Sequence, residues 1–276
     1  MGGPCELVCE TDDARLARRL GEYARTEAQR IDRKFSRHAA GSVVDTIHAS
    51  QGKRVRVDDE TARFFDYGAA LWRLSAGRFD LTSGLLRNAW HFDERPGRVD
   101  CERIPGLLKR VGWRLVGWIP PEITVPEGME IDFGDISKEY AVDRVADWVT
   151  RQTECPVLVN LGGALRCTGA PPSIGAWQVD VESIEPSGKS ATYVELKSGA
   201  LATSGDAQRH IKIDGKRYGR IFDARTGWPV PDAPRAITVA APSCSQAGSY
   251  STLAILKGAD AENFLDREGV HYWCLR

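Results

Sequence analysis

The sequence has no apolar run approaching the roughly 20 residues that span a bilayer. Its opening, MGGPCELVCE, lacks the charged-then-apolar pattern of a signal peptide. A cytoplasmic protein is the expectation, or an exported one whose leader has been removed. Charge of one sign is also missing: 37 Lys and Arg stand against 38 Asp and Glu, a net charge of −1. No overall field draws such a chain to nucleic acid or an anionic membrane, so any polyanion must be gripped locally. The seven cysteines, at 5, 9, 101, 155, 167, 244 and 274, form no CxxC pair and indicate neither a zinc site nor a disulfide framework. Cys5 and Cys9 lie among apolar residues and read as strand positions. Neither a P-loop nor a GxGxxG fingerprint occurs, and there is no internal repeat or low-complexity segment.

What is present suffices for a sizeable core: 276 residues, 42% hydrophobic and 27% charged. Over residues 13–35, Leu16, Leu20, Ala24, Ala28, Ile31 and Phe35 recur at spacings of three or four, predicting an amphipathic helix. Glu22, Glu27 and Asp32 interrupt its arginines, so its polar face reads as solvated surface. Further helices are expected over 59–75, opened by acidic residues, over 135–150 and over 245–257. Short β-branched runs at 155–160, 177–183, 191–197, 210–213 and 236–240 read as strands, with Asp214-Gly215 as a hairpin turn. Strands following strands, with helices inserted, predict a mixed α+β fold, a single domain over 1–276.

Gly-containing turns close several apolar runs: Phe79-Asp80-Leu81-Thr82-Ser83-Gly84, Asp132-Phe133-Gly134, Asn160-Leu161-Gly162-Gly163, Thr203-Ser204-Gly205-Asp206 and Asp223-Ala224-Arg225-Thr226-Gly227. Such turns let a phosphate approach backbone N–H groups, above all where a helix follows, as after Gly134. In their order along the chain, the segments FDLTSGLLRNAWHF (79–92), IDFGDISKEYAVDRVADWV (131–149), VLVNLGGALRCTG (157–169), the stretch 200–230 and ITVAAPSCSQAGSYSTLAILKG (237–258) resemble the ApbE-like FAD:protein FMN transferases. The resemblance covers nearly the whole chain. It implies a mixed α/β fold that binds FAD and uses Mg²⁺ to transfer FMN, through a phosphoester, onto a Thr or Ser hydroxyl of a flavin-acceptor protein, with AMP leaving.

The resemblance assigns FAD contacts to Met1, Arg78, Phe79, Asp80, Gly134, Tyr140 and Phe222, and to His38, where some members carry Tyr. His48 occupies a position often held by Asn and tied to the choice between transfer and FAD hydrolysis. The metal and acid-base positions depart from the family pattern. Ala-Asp-Ala-x-x-Thr reads Ala247-Gly248-Ser249-Tyr250-Ser251-Thr252, so the metal-binding Asp is Gly248, while Thr252 and the backbone carbonyl at Ser137 remain. The family's Ser-His reads Gly219-Arg220, replacing a proton-exchanging His with an Arg that cannot exchange one. Two readings follow. Arg220, as the catalytic-position residue, neutralises the pyrophosphate in a metal-free site that holds FAD intact. Alternatively Asp135 or Glu139, flanking Ser137, replaces the missing Asp and recovers Mg²⁺ and turnover. The sequence favours the first. A third reading, an interaction protein without flavin, predicts a colourless purified protein.

Overall fold

The computed structural model describes residues 3–92, 97–182, 191–206 and 210–276. The apolar stripe expected over 13–35 forms α1 (Ala14–Phe35), burying Leu20, Ala24, Ala28, Ile31 and Phe35. Asp13 is its cap, accepting the backbone N–H groups of Arg15 and Leu16 at 2.8 and 3.1 Å. The other helices are α2 (Val43–Ala49), α3 (Asp59–Leu74), α4 (Ile104–Leu108), α5 (Gly134–Gln152), α6 (Cys244–Ile255) and α7 (Ala261–Glu268). Among the described residues no helix is long and apolar enough to cross a membrane.

Six antiparallel strands form the main sheet, in the order Cys5–Cys9, Val157–Leu161, Ala164–Cys167, Gly199–Gly205, Ala236–Ala241, His271–Leu275. Period-two alternation divides its faces. Val157, Val159, Leu161, Ala200 and Ala202 join the core beneath α5 and α6, while Leu158 and Leu201 point the other way, into a cluster with Trp177, Val179 and Leu196. That second face is covered by the hairpin Trp177–Glu182 and Ala191–Leu196. A third cluster gathers Leu86, Trp90, Ile104, Leu107 and Ile211. The expected Asp214-Gly215 turn joins Ile211–Ile213 to Lys216–Tyr218, with both residues at positive φ, +49° and +75°. The fold is α+β, as its pattern of strands and helices predicts.

Asp143 ties the two helices over the sheet. Buried on α5, its carboxylate accepts the backbone N–H groups of Cys244 and Ser245 at 2.8 Å each and the Ser245 hydroxyl at 2.7 Å, holding the first turn of α6. Arg166, reaching from the sheet, donates to the same carboxylate at 2.9 Å. The registration of α5 against α6 thus depends on one buried anion.

Candidate active site

Two adjoining cavities, of about 650 and 550 Å³, meet at Gly205 and Arg220. The first runs between Arg78, Asp206, Tyr218, Trp228 and Lys257. The second lies over the hairpin-side face of the sheet, along Leu158 and Asn160 and along Leu201 and Thr203, alternate residues of their strands, and is closed at one end by Gly162 and by Lys138 from α5. Gly205 permits close approach of the paired strand at this junction: its φ is +156°, and a Cβ there would lie 2.2 Å from the Arg235 carbonyl oxygen. Arg220 is set by packing, its guanidinium 5.3 Å over the Phe92 ring. Phe92 itself packs with Trp90 and Phe222.

Arg220 is one of two arginines whose charge is felt at Arg37, the other being Arg87. Arg87 is paired with Asp132, and Arg37 faces the same carboxylate at 3.8 Å. Burial, then the like charge of Arg87 and, more weakly, of Arg220, holds Arg37 below its ordinary pKa, against the opposing pull of Asp132 and Glu130. Asp132 also accepts the Gly134 N–H at 2.8 Å, setting the first turn of α5. The Arg87 Nε is buried without a hydrogen-bond partner among the described residues. Such a concentration of guanidinium groups beside a helix N-terminus suits an anion with several oxygens. Arg37, Arg87 and Lys138 were not evident in the sequence, because only folding brings them beside Arg220.

Acids line the other side of this region. Asp135 and Glu139 lie one turn apart on α5. Crowding by the protein, then the charges of Asp132 and Glu139, push Asp135 up to about 6. Glu139 is buried, which raises its pKa; one of its oxygens lies 3.2 Å from the Lys138 Nζ, and the other, Oε2, has no hydrogen-bond partner among the described residues. Across from them on α6, the Thr252 hydroxyl pairs with the Ser204 hydroxyl at 2.9 Å. Ser137 is half-buried on the same turn of α5 as Glu139.

The sequence-assigned residues divide. Arg220 and Arg78 line the first cavity, with Arg78 also donating to the Leu256 carbonyl. Phe222 packs in the aromatic cluster under Arg220. Gly134 and His38 border the arginine group, His38 accepting from the Arg37 Nε at 2.9 Å. Three others are engaged elsewhere. Phe79 is buried, its N–H bonded to Ser75 Oγ at 2.9 Å. Asp80 is buried and its carboxylate accepts from Thr82 and from the Trp113 N–H at 2.7 Å. Tyr140 borders a separate cavity of about 160 Å³ and donates to Glu60 at 2.9 Å. Met1 lies outside the described residues.

His48 is likewise structural. Its Nε2 accepts the Ile131 N–H at 2.8 Å, a geometry open only to the neutral ring, and burial lowers its pKa although Glu130, Asp45 and Asp132 pull it up. Because the folded pKa is depressed, this contribution to stability is full above the unfolded value near 6.5 and is lost as pH falls through the folded pKa. Thermal melts of wild type and His48→Gln from pH 7.5 to 5 should therefore show wild type losing more stability on acidification. Parallel pH dependences would show that the ring takes up its proton alike in the folded and unfolded states, against a depressed folded pKa.

A family model described as the ApbE family matches residues 1–273. The FAD:protein FMN transferase of Escherichia coli strain K12 is 24% identical over 272 residues, covering 94% of this chain and 77% of its own length. The ApbE protein of Thermotoga maritima has a closely similar structure, with a TM-score of 0.87 at 31% identity over 99% of this chain and 91% of that one. The apo form of the Pseudomonas stutzeri flavinyl transferase ApbE shares the fold, with a TM-score of 0.84 at 24% identity over 99% of this chain and 92% of that one. A family match over nearly the full length, with a solved relative above 30% identity, places the chain in the ApbE family of flavin transferases.

Proposed function

We propose that the chain, as one domain over 1–276, binds FAD across the two cavities and transfers FMN from it to a Thr or Ser hydroxyl of a partner protein. The observation that carries this reading is Arg220 where the two cavities meet, with its charge and that of Arg87 both felt at Arg37, beside the start of α5. A pyrophosphate brings the dispersed negative charge that such a group neutralises. Arg78 and the aromatic cluster under Arg220 border the space beyond it. In the transfer, the acceptor oxygen bonds to the FMN phosphorus while the phosphorus–oxygen bond to AMP breaks, and AMP departs with the bridging oxygen. The hydroxyl proton goes to solvent or to the departing phosphate, since Arg220 keeps its own protons.

The residues fit a magnesium ion in one respect: among the described residues Glu139 has a buried carboxylate oxygen without a partner, beside Gly248 on the helix that carries Thr252. Glu139, with Thr252, would hold Mg²⁺, which would supply positive charge beside the pyrophosphate. That supports the metal-dependent transferase over the metal-free FAD holder, although Arg220 alone suits either. The deciding experiment incubates the protein with FAD, with and without Mg²⁺, and follows AMP by chromatography and bound flavin by absorbance. AMP released only with Mg²⁺ is expected. Tightly bound, intact FAD in both samples would establish the metal-free holder instead, and no bound flavin in either would remove the flavin reading.

A further inference from the structure

We infer that Glu139 supplies, from α5, the metal-ligating carboxylate that the family pattern places at position 248 of α6, so that the acid has moved between facing helices and the metal site is kept. The inference rests on the flavin-transfer reading. Its basis is spatial. A Cβ built on Gly248 would lie 2.7 Å from the Glu139 Cγ, 3.2 Å from its Cδ and 3.6 Å from its Oε1. The Glu139 side chain therefore fills the volume that a side chain at 248 would enter, and an acid at both positions would overlap. Gly248 is what admits Glu139.

The carboxylate in that space is not accounted for by packing. Glu139 is 7% exposed, and its Oε2 has no hydrogen-bond partner among the described residues. Lys138 engages only the other oxygen, at 3.2 Å. A buried carboxylate with an idle oxygen is costly unless a cation completes it. Oxygen donors that suit a hard cation sit one helical turn away along each helix: Asp135, whose carboxyl feels the Glu139 charge, on α5, and Thr252, one turn after Gly248, on α6. Thr252 is held in place by Ser204, whose hydroxyl also pairs with Ser251 at 2.8 Å. Among the described residues no three His, Cys, Asp or Glu side chains form a complete cage. A cation here would therefore have to accept one or two carboxylates and complete its shell with water and substrate phosphate oxygens, as Mg²⁺ does.

The test uses Mn²⁺ as a spectroscopic stand-in for Mg²⁺, titrated by electron paramagnetic resonance into the purified protein, free and loaded with FAD. FAD binding is measured separately in EDTA by flavin fluorescence. Wild type should bind Mn²⁺, more tightly with FAD present. Glu139→Gln, nearly isosteric, should weaken Mn²⁺ at least about 10-fold, as loss of one charged ligand does, while melting in EDTA at or above the wild-type temperature, because an unpaired buried charge is gone. The double variant E139G/G248D should recover Mn²⁺ binding, with the acid on α6. Unchanged Mn²⁺ affinity in Glu139→Gln would overturn the inference and leave the flavin reading intact. Failure of FAD to bind in EDTA and in Mn²⁺ would overturn the flavin reading, and Glu139-dependent Mn²⁺ binding to the free protein would then still support a metal site. Failure of E139G/G248D to regain Mn²⁺ while it folds and binds FAD would show that the two positions are not equivalent, which also overturns the exchange.

Discussion

Asp143→Ala should lower the melting temperature by about 10 °C, the largest loss expected of any single substitution outside the apolar core. The carboxylate holds the first two N–H groups of α6 and the Ser245 hydroxyl, and Arg166 is paired to it, all in a buried setting. Removing one partner of a buried, hydrogen-bonded ion pair costs about 3–5 kcal/mol, since the other charge and the freed donors stay desolvated. For a chain of this size each kcal/mol is worth about 2–4 °C. Asp143→Asn keeps acceptor capacity on one oxygen and should lose roughly half as much. The effect should extend to function: with α6 released, Gly248 and Thr252 no longer face Glu139, and Mn²⁺ and FAD binding should weaken at temperatures where the protein is still folded. Differential scanning calorimetry with flavin titration checks both. A drop under about 2 °C would mean that the Asp143 contacts are replaced by water at little cost.

The residues that form helices were legible because burial follows a single period along each. The stripe of α1, the acid-led start of α3 and the apolar positions of α5 all fall within two residues of the expected ends. Asp13 sits just outside α1 as its cap, which accounts for the one-residue offset there, and Asp58 caps α3 just before its expected start. The β-branched runs were equally clear, and the strands Val157–Leu161, Trp177–Glu182, Ala191–Leu196 and Ala236–Ala241 lie where they were expected, with residue 183 outside the described residues. Short elements were not: α2 and α4 are too brief to show a period. Nor was strand order, which is fixed by long-range pairing such as Cys5 with Leu161.

The site was legible as residue types and opaque as geometry. Arg220 could be singled out because a cation replaced a titratable ring, yet its neighbours Arg37 and Arg87 are distant in sequence and carry no local signal. Asp80 and Tyr140 have partners that carry no local sequence signal, Thr82 and Trp113 for the first and Glu60 for the second. Glu139 and Gly248 each looked like an isolated departure from the family pattern. Their relation emerges only when α5 and α6 face one another, because the two residues are 109 positions apart (248 − 139). The sequence preference for a metal-free site rests on the Asp missing at 248 and the fixed cation at 220; that Glu139 lies beside Gly248 is visible only in the fold.

Arg220→Ala should weaken FAD binding by about 10- to 100-fold, the worth of one or two charge-assisted hydrogen bonds at ~1.5–3 kcal/mol. Arg37 and Arg87 remain, so binding should fall without vanishing. The loss should shrink as salt rises, because the missing guanidinium acts largely through charge in a cleft open to solvent. Arg220→Lys, with its point charge, should keep only part of the affinity: it cannot offer the planar pair of donors that a phosphate accepts, nor stack on Phe92 in the same way. Arg220→His separates binding from proton transfer. At pH 5.5 a protonated ring should restore part of the affinity. At pH 8 the neutral ring should bind FAD little better than alanine, yet it can accept the proton of the attacking hydroxyl, as Arg220 cannot. If release of AMP per bound FAD is faster in Arg220→His than in wild type at pH 8, proton removal limits the native reaction, and Arg220 serves pyrophosphate binding at a cost in rate. If AMP release per bound FAD is unchanged, the leaving group's charge sets the barrier and the arginine stabilises it as well as the imidazole would.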